Sequence, residues 1–542
     1  MQSKTKTKCG VSELEVNGTT LHTDKEKATA LNNFFVSVFT KEDASTHPTV
    51  CNRERENPTL TDINLSKDDI EKRLLKLNIT KSAGPDGLHP RLLKETATSI
   101  STPLLSIFRK SIDNGKVPSA WKKASITPIY KKGSRKEVGN YRPVSLTAIC
   151  CKLLESIVRQ AVNEHMTKYN LLSAEQHGFT EGKSCVTQLV SVMESWTEIL
   201  DKHGCIDVVY FDFQKAFDTV PHKRLLHKIK NCGIQGKVCN WIKSFLTDRE
   251  QRVAVNGDCS EWVPVTSGVP QGSVLGPTLF VIYINDLPDA VHSCIKLFAD
   301  DTKIYRHINS TADCQKIQDD IHSLESWSKQ WLLKFHPQKC KVMRIGNGHP
   351  EYHYSMTDNT DEAKSVTLQE TPVEKDLGIY VDKDLNYKEH IHKSITKANQ
   401  TLGMIRRTFQ YIDRNIFISL YKSRVRPVLE YGNTIWSPRH KKDIQAVEKV
   451  QQRATKLVPG LKDLDYTARL KILKLPSLSY RRDRGDMIET FKYIENIYKT
   501  ENPWFIRDHT KNTRDHSKKL CKLRCNTELR KHCFSHRIIN TM

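Results

Sequence analysis

The sequence lacks any apolar run long enough to cross a bilayer, and its first residues, Met1-Gln2-Ser3-Lys4, lack the pattern of a secretory signal. Internal repeats and low-complexity linkers are also missing from its 542 residues. These absences predict a soluble intracellular protein with no membrane contact. A chain of this length is expected to form two to four domains with ample material for a large core.

The sequence has fewer acidic residues than basic ones. The chain has 85 Lys and Arg against 62 Asp and Glu, so its formal net charge is +23. Such an excess favours a polyanionic partner, because basic side chains release counterions when they bind phosphates. The same charge would also suit a membrane surface or serve solubility.

The pattern of a disulfide framework is missing as well. The 15 cysteines are odd in number and scattered, which favours reduced thiols. Cys521, Cys525, Cys533 and His536 lie close in sequence, but their spacing of three, seven and two intervening residues matches no usual pair-plus-pair zinc pattern. We interpret them as part of a basic tail rather than as a zinc site.

The clearest chemical signal in the sequence is a pair of adjacent aspartates, Asp300 and Asp301, between two runs rich in apolar and β-favouring residues. The stretch from Ile295 to Tyr305 predicts a β-hairpin with both carboxylates at its tip. Two neighbouring anions repel each other, and a divalent cation would relieve this, since hard Mg²⁺ prefers carboxylate oxygens. An Asp-Asp pair is also ordinary turn chemistry, so alone it leaves both possibilities open.

A third carboxylate, Asp212, ends an apolar, β-branched and aromatic run that begins at Asp207. Such a strand is expected to be buried, so a charge at its end needs compensation. A metal shared with the hairpin would supply it, and two Mg²⁺ ions bridged by three aspartates would form a clamp for in-line phosphoryl transfer. The alternative is that Asp212 opens a turn and Asp218 caps a helix.

Between these segments lies a glycine-rich loop, Ser267-Gly268-Val269-Pro270-Gln271-Gly272-Ser273-Val274-Leu275-Gly276-Pro277, followed by an apolar run. Proline is tolerated in the first turn of a helix, so the loop is expected to lead into one. Glycine lets another backbone, a base or a sugar approach closely, so the loop could frame a nucleotide. Glycines before a helix can also be only a turn.

Taken together, these motifs resemble reverse transcriptases of non-LTR (LINE-type) retrotransposons of the jockey-like branch. Phe298-Ala299-Asp300-Asp301 is similar to their catalytic box, Phe211-Asp212 through Asp218 to their first catalytic strand, and Gly268 to Ser273 to their nucleotide-framing loop. Further similar motifs, in the same order, are Lys81-Ser82-Ala83-Gly84-Pro85-Asp86-Gly87, Asn140-Tyr141-Arg142-Pro143-Val144-Ser145-Leu146, Gln176-His177-Gly178-Phe179, Asp376-Leu377-Gly378-Ile379 and Arg424-Val425-Arg426-Pro427-Val428-Leu429-Glu430-Tyr431-Gly432. Several ordered motifs are far more specific than any single one.

The resemblance implies an α+β fold, a right-hand polymerase with fingers and palm, a helical thumb and a basic C-terminal region. We expect an N-terminal helical extension at residues 1–75, fingers and palm at 76–382, the thumb at 383–495 and a basic tail at 496–542. Residues 501–542 hold ten Lys and Arg against four Asp and Glu, so this tail is expected to be either disordered or bound to nucleic acid.

The implied reaction is template-directed DNA synthesis on RNA. By resemblance, Asp212, Asp300 and Asp301 would hold two Mg²⁺ ions, for which Mn²⁺ could substitute. The Phe213 carbonyl would complete a metal shell. One ion would lower the pKa of the primer 3′-hydroxyl and the other would neutralise the triphosphate and the leaving pyrophosphate.

Other residues are assigned to the nucleotide by the same resemblance. Arg142 and one of Lys131 or Lys132 would grip the triphosphate, because the arginine fork suits phosphate oxygens. Gln271 and Gly272 would line the incoming nucleotide.

Two further residues have specific roles by resemblance. Lys339 matches a general acid proposed for the pyrophosphate, although His336 stands where the family usually has Asn; the alternative is a surface lysine. Phe217 matches an aromatic residue that packs beneath the sugar and clashes with a 2′-hydroxyl, which favours deoxynucleotides. The alternative for Phe217 is a plain core residue.

A basic stripe lies on a helix predicted near residue 450. Lys449, Arg453 and Lys456 recur there at steps of four and three. Such a stripe is usually a solvated face, but stripes of one sign can also follow a phosphate backbone.

The implied partners are template RNA, a DNA primer and dNTPs, with an element-encoded RNA-binding protein also allowed, in a ribonucleoprotein of the nucleus and cytoplasm. The oligomeric state is left open. No endonuclease pattern precedes Lys81 and no RNase H signature follows the thumb, so the chain is expected to copy rather than cut.

The sequence leaves two alternative functions open. One is a non-catalytic RNA-binding remnant or domesticated scaffold from a decayed element, which loss of a metal ligand would indicate. The other is an RNA-dependent RNA polymerase, which Phe217 and Ala299 disfavour.

Overall fold

The computed structural model describes residues 11–42, 48, 58–358, 364–409, 411–499, 504–506 and 520–539. The strands in these ranges are β1 (Leu14–Val16), β2 (Thr19–Leu21), β3 (Lys123–Tyr130), β4 (Tyr141–Leu146), β5 (Cys205–Phe211), β6 (Arg249–Val255), β7 (Asp258–Cys259), β8 (Val263–Val265), β9 (Cys294–Phe298), β10 (Asp301–Ile308), β11 (Lys341–Ile345), β12 (Ser355–Thr357), β13 (Ser365–Thr367), β14 (Gln369–Glu370), β15 (Val373–Asp376) and β16 (Ile379–Asp382).

The helices in the same ranges are α1 (Asp24–Ser37), α2 (Lys67–Leu75), α3 (Pro90–Glu95), α4 (Ala97–Asp113), α5 (Ile149–Lys168), α6 (Cys185–Asp201), α7 (Ala216–Thr219), α8 (His222–Asn231), α9 (Gly236–Leu246), α10 (Gly276–Tyr283), α11 (Thr311–Trp331), α12 (Lys388–Thr408), α13 (Arg414–Leu420), α14 (Arg426–Glu430), α15 (Asn433–Trp436), α16 (Lys441–Thr455), α17 (Tyr466–Leu473), α18 (Leu478–Ile494), α19 (Glu528–Lys531) and α20 (Phe534–Ile539).

The chain divides into two compact units, each assembled from three stretches of sequence. The first unit holds residues 1–176, 213–290 and 323–336, and the second holds 177–212, 291–322 and 337–542. Because both units are discontinuous in sequence, they do not coincide with the segments expected at 1–75, 76–382, 383–495 and 496–542. Those segments stay predictions about function.

The first unit contains a sheet in the order β4-β3-β6-β7, with β8 also paired to β6. Alternate residues of β6 are buried along its whole length, as expected for a strand with one face on a core. Helix α1 packs on that face, where Leu31 and Phe35 meet Ile126 and Val253 in one apolar cluster. A capping box between Thr23 and Glu26 fixes the start of α1.

The second unit contains a sheet in the order β14-β11-β5-β10-β9. Its central strand β5 is buried at nearly every position, which agrees with a sequence that is apolar everywhere except at Asp207. Helix α6 supplies Trp196 to the same core, which extends to Ala398 of α12 and Val450 of α16. Helices that precede and follow the second sheet in the sequence therefore share one core with it.

These elements confirm the predicted hairpin but shift its tip. The predicted hairpin is β9 and β10, joined by the two residues Ala299 and Asp300, so Asp301 is the first residue of β10 rather than part of the tip. Helix α1 lies within residues 1–75, where a helical extension is expected, and the β1–β2 hairpin before it was not predicted. None of the described helices is both long and apolar enough to span a membrane.

Over residues 520–539 the C-terminal region is folded rather than disordered, while its binding to nucleic acid stays a prediction. The buried Arg530 donates to the buried carboxylate of Glu194 on α6 at 2.8 Å. The carboxylate of Asp201, at the end of the same helix, accepts hydrogen bonds from the backbone of Asn526 and Thr527. This segment is therefore packed into the second unit, while residues 507–519 and 540–542 lie outside the described ranges.

Candidate active site

The three candidate metal-binding aspartates lie at one end of the sheet in the second unit. The last ladder pair between β5 and β10 joins Phe211 to Thr302, so Asp212 and Asp301, one residue further out, fall opposite each other. Asp300 precedes Asp301 in the turn, where Ala299 has a positive φ of 54°. A strand register therefore brings together carboxylates that are about ninety residues apart in the sequence.

The electrostatics of this edge are those of an acidic cluster. Crowding by protein atoms, followed by the neighbouring charges of Asp300 and Asp376, raises the pKa of Asp301 to about 6, although Asp301 keeps surface open to solvent. Asp212 adds to the same repulsion. Hard oxygen donors in mutual repulsion fit a divalent cation, because the cation would offset the repulsion and its preferred ligands are carboxylates.

The cluster is not a preformed metal cage. No three His, Cys, Asp or Glu side chains among the described residues converge closely enough to hold an ion. Asp212 instead contacts a lysine, whose Nζ lies 3.3 Å from its Oδ2. Binding of a divalent ion would therefore require these side chains to rearrange.

That lysine is Lys339, the candidate general acid. It stands on a short turn, Pro337–Lys339, directly before β11. In the β11–β5 ladder Lys341 faces Tyr210, so Lys339 falls opposite Asp212 on the side away from β10. Asp212 is thus flanked by an aspartate on one neighbouring strand and by a lysine on the other.

Sequence reasoning missed a buried ion pair beside the carboxylates. The Nζ of Lys303, two residues after Asp301 on β10, donates to the carboxylate of Asp376 on β15, and both residues are less than a tenth exposed. The two charges compensate each other away from water, where an unpaired charge would be costly. The sequence signal was weak, because β10 also contains Asp301, Thr302, Arg306 and His307.

The residues assigned to the nucleotide lie in the first unit. Gly272 has a φ of 112°, and a Cβ atom there would fall 2.6 Å from the Ser145 carbonyl oxygen, so only glycine fits. The backbone N–H of Ser145 donates to the Gln271 carbonyl at 2.7 Å, which ties the glycine loop to the end of β4. The loop and the strand that carries Arg142 are therefore neighbours.

Phe217 and Gln271 both have partners in this unit. The ring of Phe217 stacks on that of Phe280, with centroids 4.5 Å apart and planes 19° apart, and Phe217 is only partly buried. The Nε2 of Gln271 donates to both carboxylate oxygens of Asp218, at 2.9 and 3.0 Å. Sequence reasoning assigned Asp218 only a possible helix cap.

The candidate triphosphate-binding cations share one end of a hairpin. Arg142, the second residue of β4, pairs with Ile129 near the end of β3, and Lys131 and Lys132 follow β3 directly. All three cations are exposed. Their clustering fits an anion, since exposed cations with few partners are available to phosphate oxygens.

The basic stripe lies on the outer side of α16. Lys449, Arg453 and Lys456 are exposed, while Val447 and Val450 on the same helix are buried in the core of the second unit. The helix is therefore amphipathic, with the stripe on its solvated face.

The cysteine cluster is not arranged as a zinc site. Cys533 is buried and its thiol donates to Glu194 at 3.2 Å. His536 contacts the hydroxyl of Ser535 through Nδ1. Each of the described cysteines is a free thiol.

The site residues therefore form two groups, each described within its own unit. Asp212, Asp300, Asp301 and Lys339 belong to the second unit, together with the basic stripe. The first unit holds Phe213, whose carbonyl is assigned to the metal shell, and the residues assigned to the nucleotide, which are Phe217, Gln271, Gly272, Arg142, Lys131 and Lys132.

Comparison with known proteins gives one family model and several relatives described as reverse transcriptases or RNA-directed DNA polymerases. Residues 129–380 match the family model described as reverse transcriptase (RNA-dependent DNA polymerase). The RNA-directed DNA polymerase from mobile element jockey of Drosophila melanogaster is 27% identical over 456 residues, which cover 79% of this chain and 47% of that protein. The probable RNA-directed DNA polymerase from transposon BS of the same species is 28% identical over 411 residues, covering 72% and 44%.

A jockey polymerase from Drosophila funebris is 27% identical over 436 residues, covering 75% of this chain and 46% of that protein. This chain spans less than half the length of these three relatives.

Proposed function

We propose that this chain, which carries a reverse transcriptase domain at residues 129–380 related to those of jockey-like non-LTR retrotransposons, is an RNA-directed DNA polymerase. The observation that carries the proposal is the register that sets Asp212 opposite Asp301, next to Asp300, with Lys339 on the other side. This is a set of oxygen ligands and one exposed cation, which suits transfer of a nucleotidyl group.

The chain's residues would divide the reaction between them. Asp212, Asp300 and Asp301, with the Phe213 carbonyl, would hold the catalytic ions. Two bound Mg²⁺ ions, or Mn²⁺ in their place, would activate the primer 3′-hydroxyl and neutralise the leaving pyrophosphate. After Lys339 has moved away from Asp212, its ammonium group would give a proton to the pyrophosphate.

Substrate binding would use the first unit and the basic stripe. Arg142 with Lys131 or Lys132 would bind the triphosphate oxygens, and Gln271 and Gly272 would line the base and sugar. Lys449, Arg453 and Lys456 would follow the phosphates of the template and primer. The partners are therefore template RNA, a DNA primer and dNTPs, in a nuclear and cytoplasmic ribonucleoprotein.

In this assignment residues 76–382 act as fingers and palm and residues 383–495 as the thumb. A non-catalytic scaffold is not favoured, because all three candidate metal ligands are present and share one sheet edge. An RNA-dependent RNA polymerase is not favoured either, because Phe217 matches the aromatic residue that clashes with a 2′-hydroxyl in the resembled family.

The test is primer extension by the purified chain on an RNA template with Mg²⁺, first with dNTPs and then with rNTPs. The proposal predicts products that require the template and dNTPs. Template-dependent products from rNTPs alone would contradict it, as would tight RNA binding without any extension.

A further inference from the structure

Asp218 has no role in the proposed reaction, yet its carboxylate is hydrogen-bonded to the side chain of Gln271. Both of its oxygens accept from Nε2 of Gln271, at 2.9 and 3.0 Å. Asp218 directly follows Phe217, the candidate sugar gate, on the short helix α7. Two residues assigned to the nucleotide are therefore joined through this one aspartate.

The backbone around this contact fixes its geometry. The N–H of Val269 donates to the Phe217 carbonyl at 2.7 Å, and the Ser267 hydroxyl donates to the Asp218 carbonyl at 2.8 Å. A Cβ atom on Gly268, whose φ is 87°, would lie 2.6 Å from that same Asp218 oxygen. The glycine loop thus lies directly against α7, and the distance from Asp218 to Gln271 cannot vary freely.

A carboxylate facing an amide imposes one orientation on it. An ionised aspartate only accepts hydrogen bonds, so the amide nitrogen of Gln271 must face Asp218 and its Oε1 must point elsewhere. An asparagine at position 218 could accept or donate, and would permit the glutamine amide to flip. The charge of residue 218, and not only its shape, therefore determines whether Gln271 directs its amide nitrogen or its carbonyl oxygen away from Asp218.

We propose that Asp218 is a positioning residue that orients Gln271 so that its carbonyl oxygen, an acceptor, faces a hydroxyl or amino hydrogen of the incoming nucleotide. This inference rests on the proposed function, since it takes Gln271 as a nucleotide contact. Asp218 would then contribute to nucleotide selection together with Gln271, and it would act through Gln271 without touching the substrate.

The electrostatics support a role beyond stability. Withdrawal from water raises the pKa of Asp218 to about 6, against the opposing effects of the Gln271 hydrogen bond and the charge of Lys215. Because the folded-state pKa lies above the unfolded value, the contribution of this group to stability falls as pH rises through about 6. At neutral pH the charge costs stability, so its presence calls for another explanation.

The test is a double-mutant cycle in steady-state primer extension, with Asp218→Asn, Gln271→Ala and the double variant. Loss of a hydrogen bond to a charged group predicts a rise of about tenfold in the KM for dNTP in Asp218→Asn, with kcat changed less than about twofold. In the Gln271→Ala background the same substitution should change KM no further. The melting temperature of Asp218→Asn at pH 7.5 should equal or exceed that of the parent.

Two further variants make the result decisive. Asp286→Asn, which weakens the buried contact with Lys228 in the same unit, should lower the melting temperature and leave the KM for dNTP unchanged. Gln271→Glu keeps an acceptor oxygen but removes the donor to Asp218, so it should raise KM as Asp218→Asn does. This variant carries the test if Asp218→Asn fails to fold.

Independent effects of the two single substitutions on KM, or an unchanged KM in both Asp218→Asn and Gln271→Glu, would overturn the inference alone. Absence of primer extension by the parent chain would overturn the proposed function, and this inference with it.

Discussion

Lys339 Nζ lies 3.3 Å from Asp212 Oδ2, so the candidate general acid rests against a candidate metal ligand. The two side chains are 51% and 48% exposed, which limits the pair to about 1 kcal/mol or less. A divalent cation can therefore displace the lysine at little cost. The displaced ammonium would then be free to serve the pyrophosphate.

Replacing Lys339 with Met should slow nucleotide addition by about a hundredfold, because general acid catalysis contributes about 10²–10⁴ in rate. RNA binding should change little, since one exposed charge is lost. Single-turnover extension and filter binding measure the two quantities. Lys341→Met is the matched control, because Lys341 also pairs with a carboxylate, that of Glu374 at 3.4 Å. Equal effects of the two substitutions would show that Lys339 is only a surface lysine.

The candidate role of Phe217 as a sugar gate can be tested separately from its packing on Phe280. Phe217→Val should raise the ratio of ribonucleotide to deoxynucleotide kcat/KM by about a hundredfold if a clash of roughly 3 kcal/mol is removed. Phe280→Val removes the same stacked contact from a residue that is fully buried, so it should lower stability without changing the ratio. If both variants lose stability and neither changes the ratio, Phe217 is a core residue.

The basic stripe makes a prediction about salt. Replacing Lys449, Arg453 and Lys456 with Ala should flatten the plot of log K against log salt concentration by up to about three counterions, with sequence preference unaffected. The control is the triple Ala variant of Lys462, Lys471 and Lys474, which are exposed elsewhere in the second unit. If the stripe variant keeps the slope of the parent in this plot, the three basic residues form only a solvated face of α16.

The buried pair of Lys303 and Asp376 should dominate the stability of the carboxylate edge. Lys303→Met leaves a buried carboxylate unpaired and should lower the free energy of unfolding by about 3–5 kcal/mol. The double variant Lys303→Met, Asp376→Leu should recover most of that loss, because no charge is then left alone. Urea denaturation measures both. A double variant as unstable as the single one would mean that packing, not charge, governs this contact.

Local pattern was enough to predict the elements that carry the site. The β9–β10 hairpin, β5 and the helix of the basic stripe all follow from periodicity and turn chemistry within a short window. The contact between Lys339 and Asp212 does not, because it depends on the register of β11 against β5 across more than a hundred residues. Hydrophobic alternation specifies which face of a strand is buried, but not which strand lies beside it.

The missed contacts share a physical cause. Asp218 and Asp376 look like ordinary polar residues in their own segments, and they and Glu194 each contact a partner that is distant in sequence. Glu194 gave the clearest signal, since it lies in a mostly apolar stretch of α6. A carboxylate in such a place needs a cation, and Arg530 of the C-terminal segment supplies it. The expectation for that segment rested on net charge, which does not report burial.

The central claim is that the aspartates at the sheet edge hold the catalytic ions for RNA-directed DNA synthesis. Its most direct test is primer extension on an RNA template by Asp212→Ala and Asp300→Ala, beside Asp384→Ala, which removes an exposed carboxylate from a turn of the same unit. Loss of a metal ligand should cost several kcal/mol of transition-state stabilisation, so the first two variants should show no detectable synthesis while binding RNA normally. Asp384→Ala should extend primers like the parent. Synthesis by Asp212→Ala or Asp300→Ala within about tenfold of the parent would contradict the account.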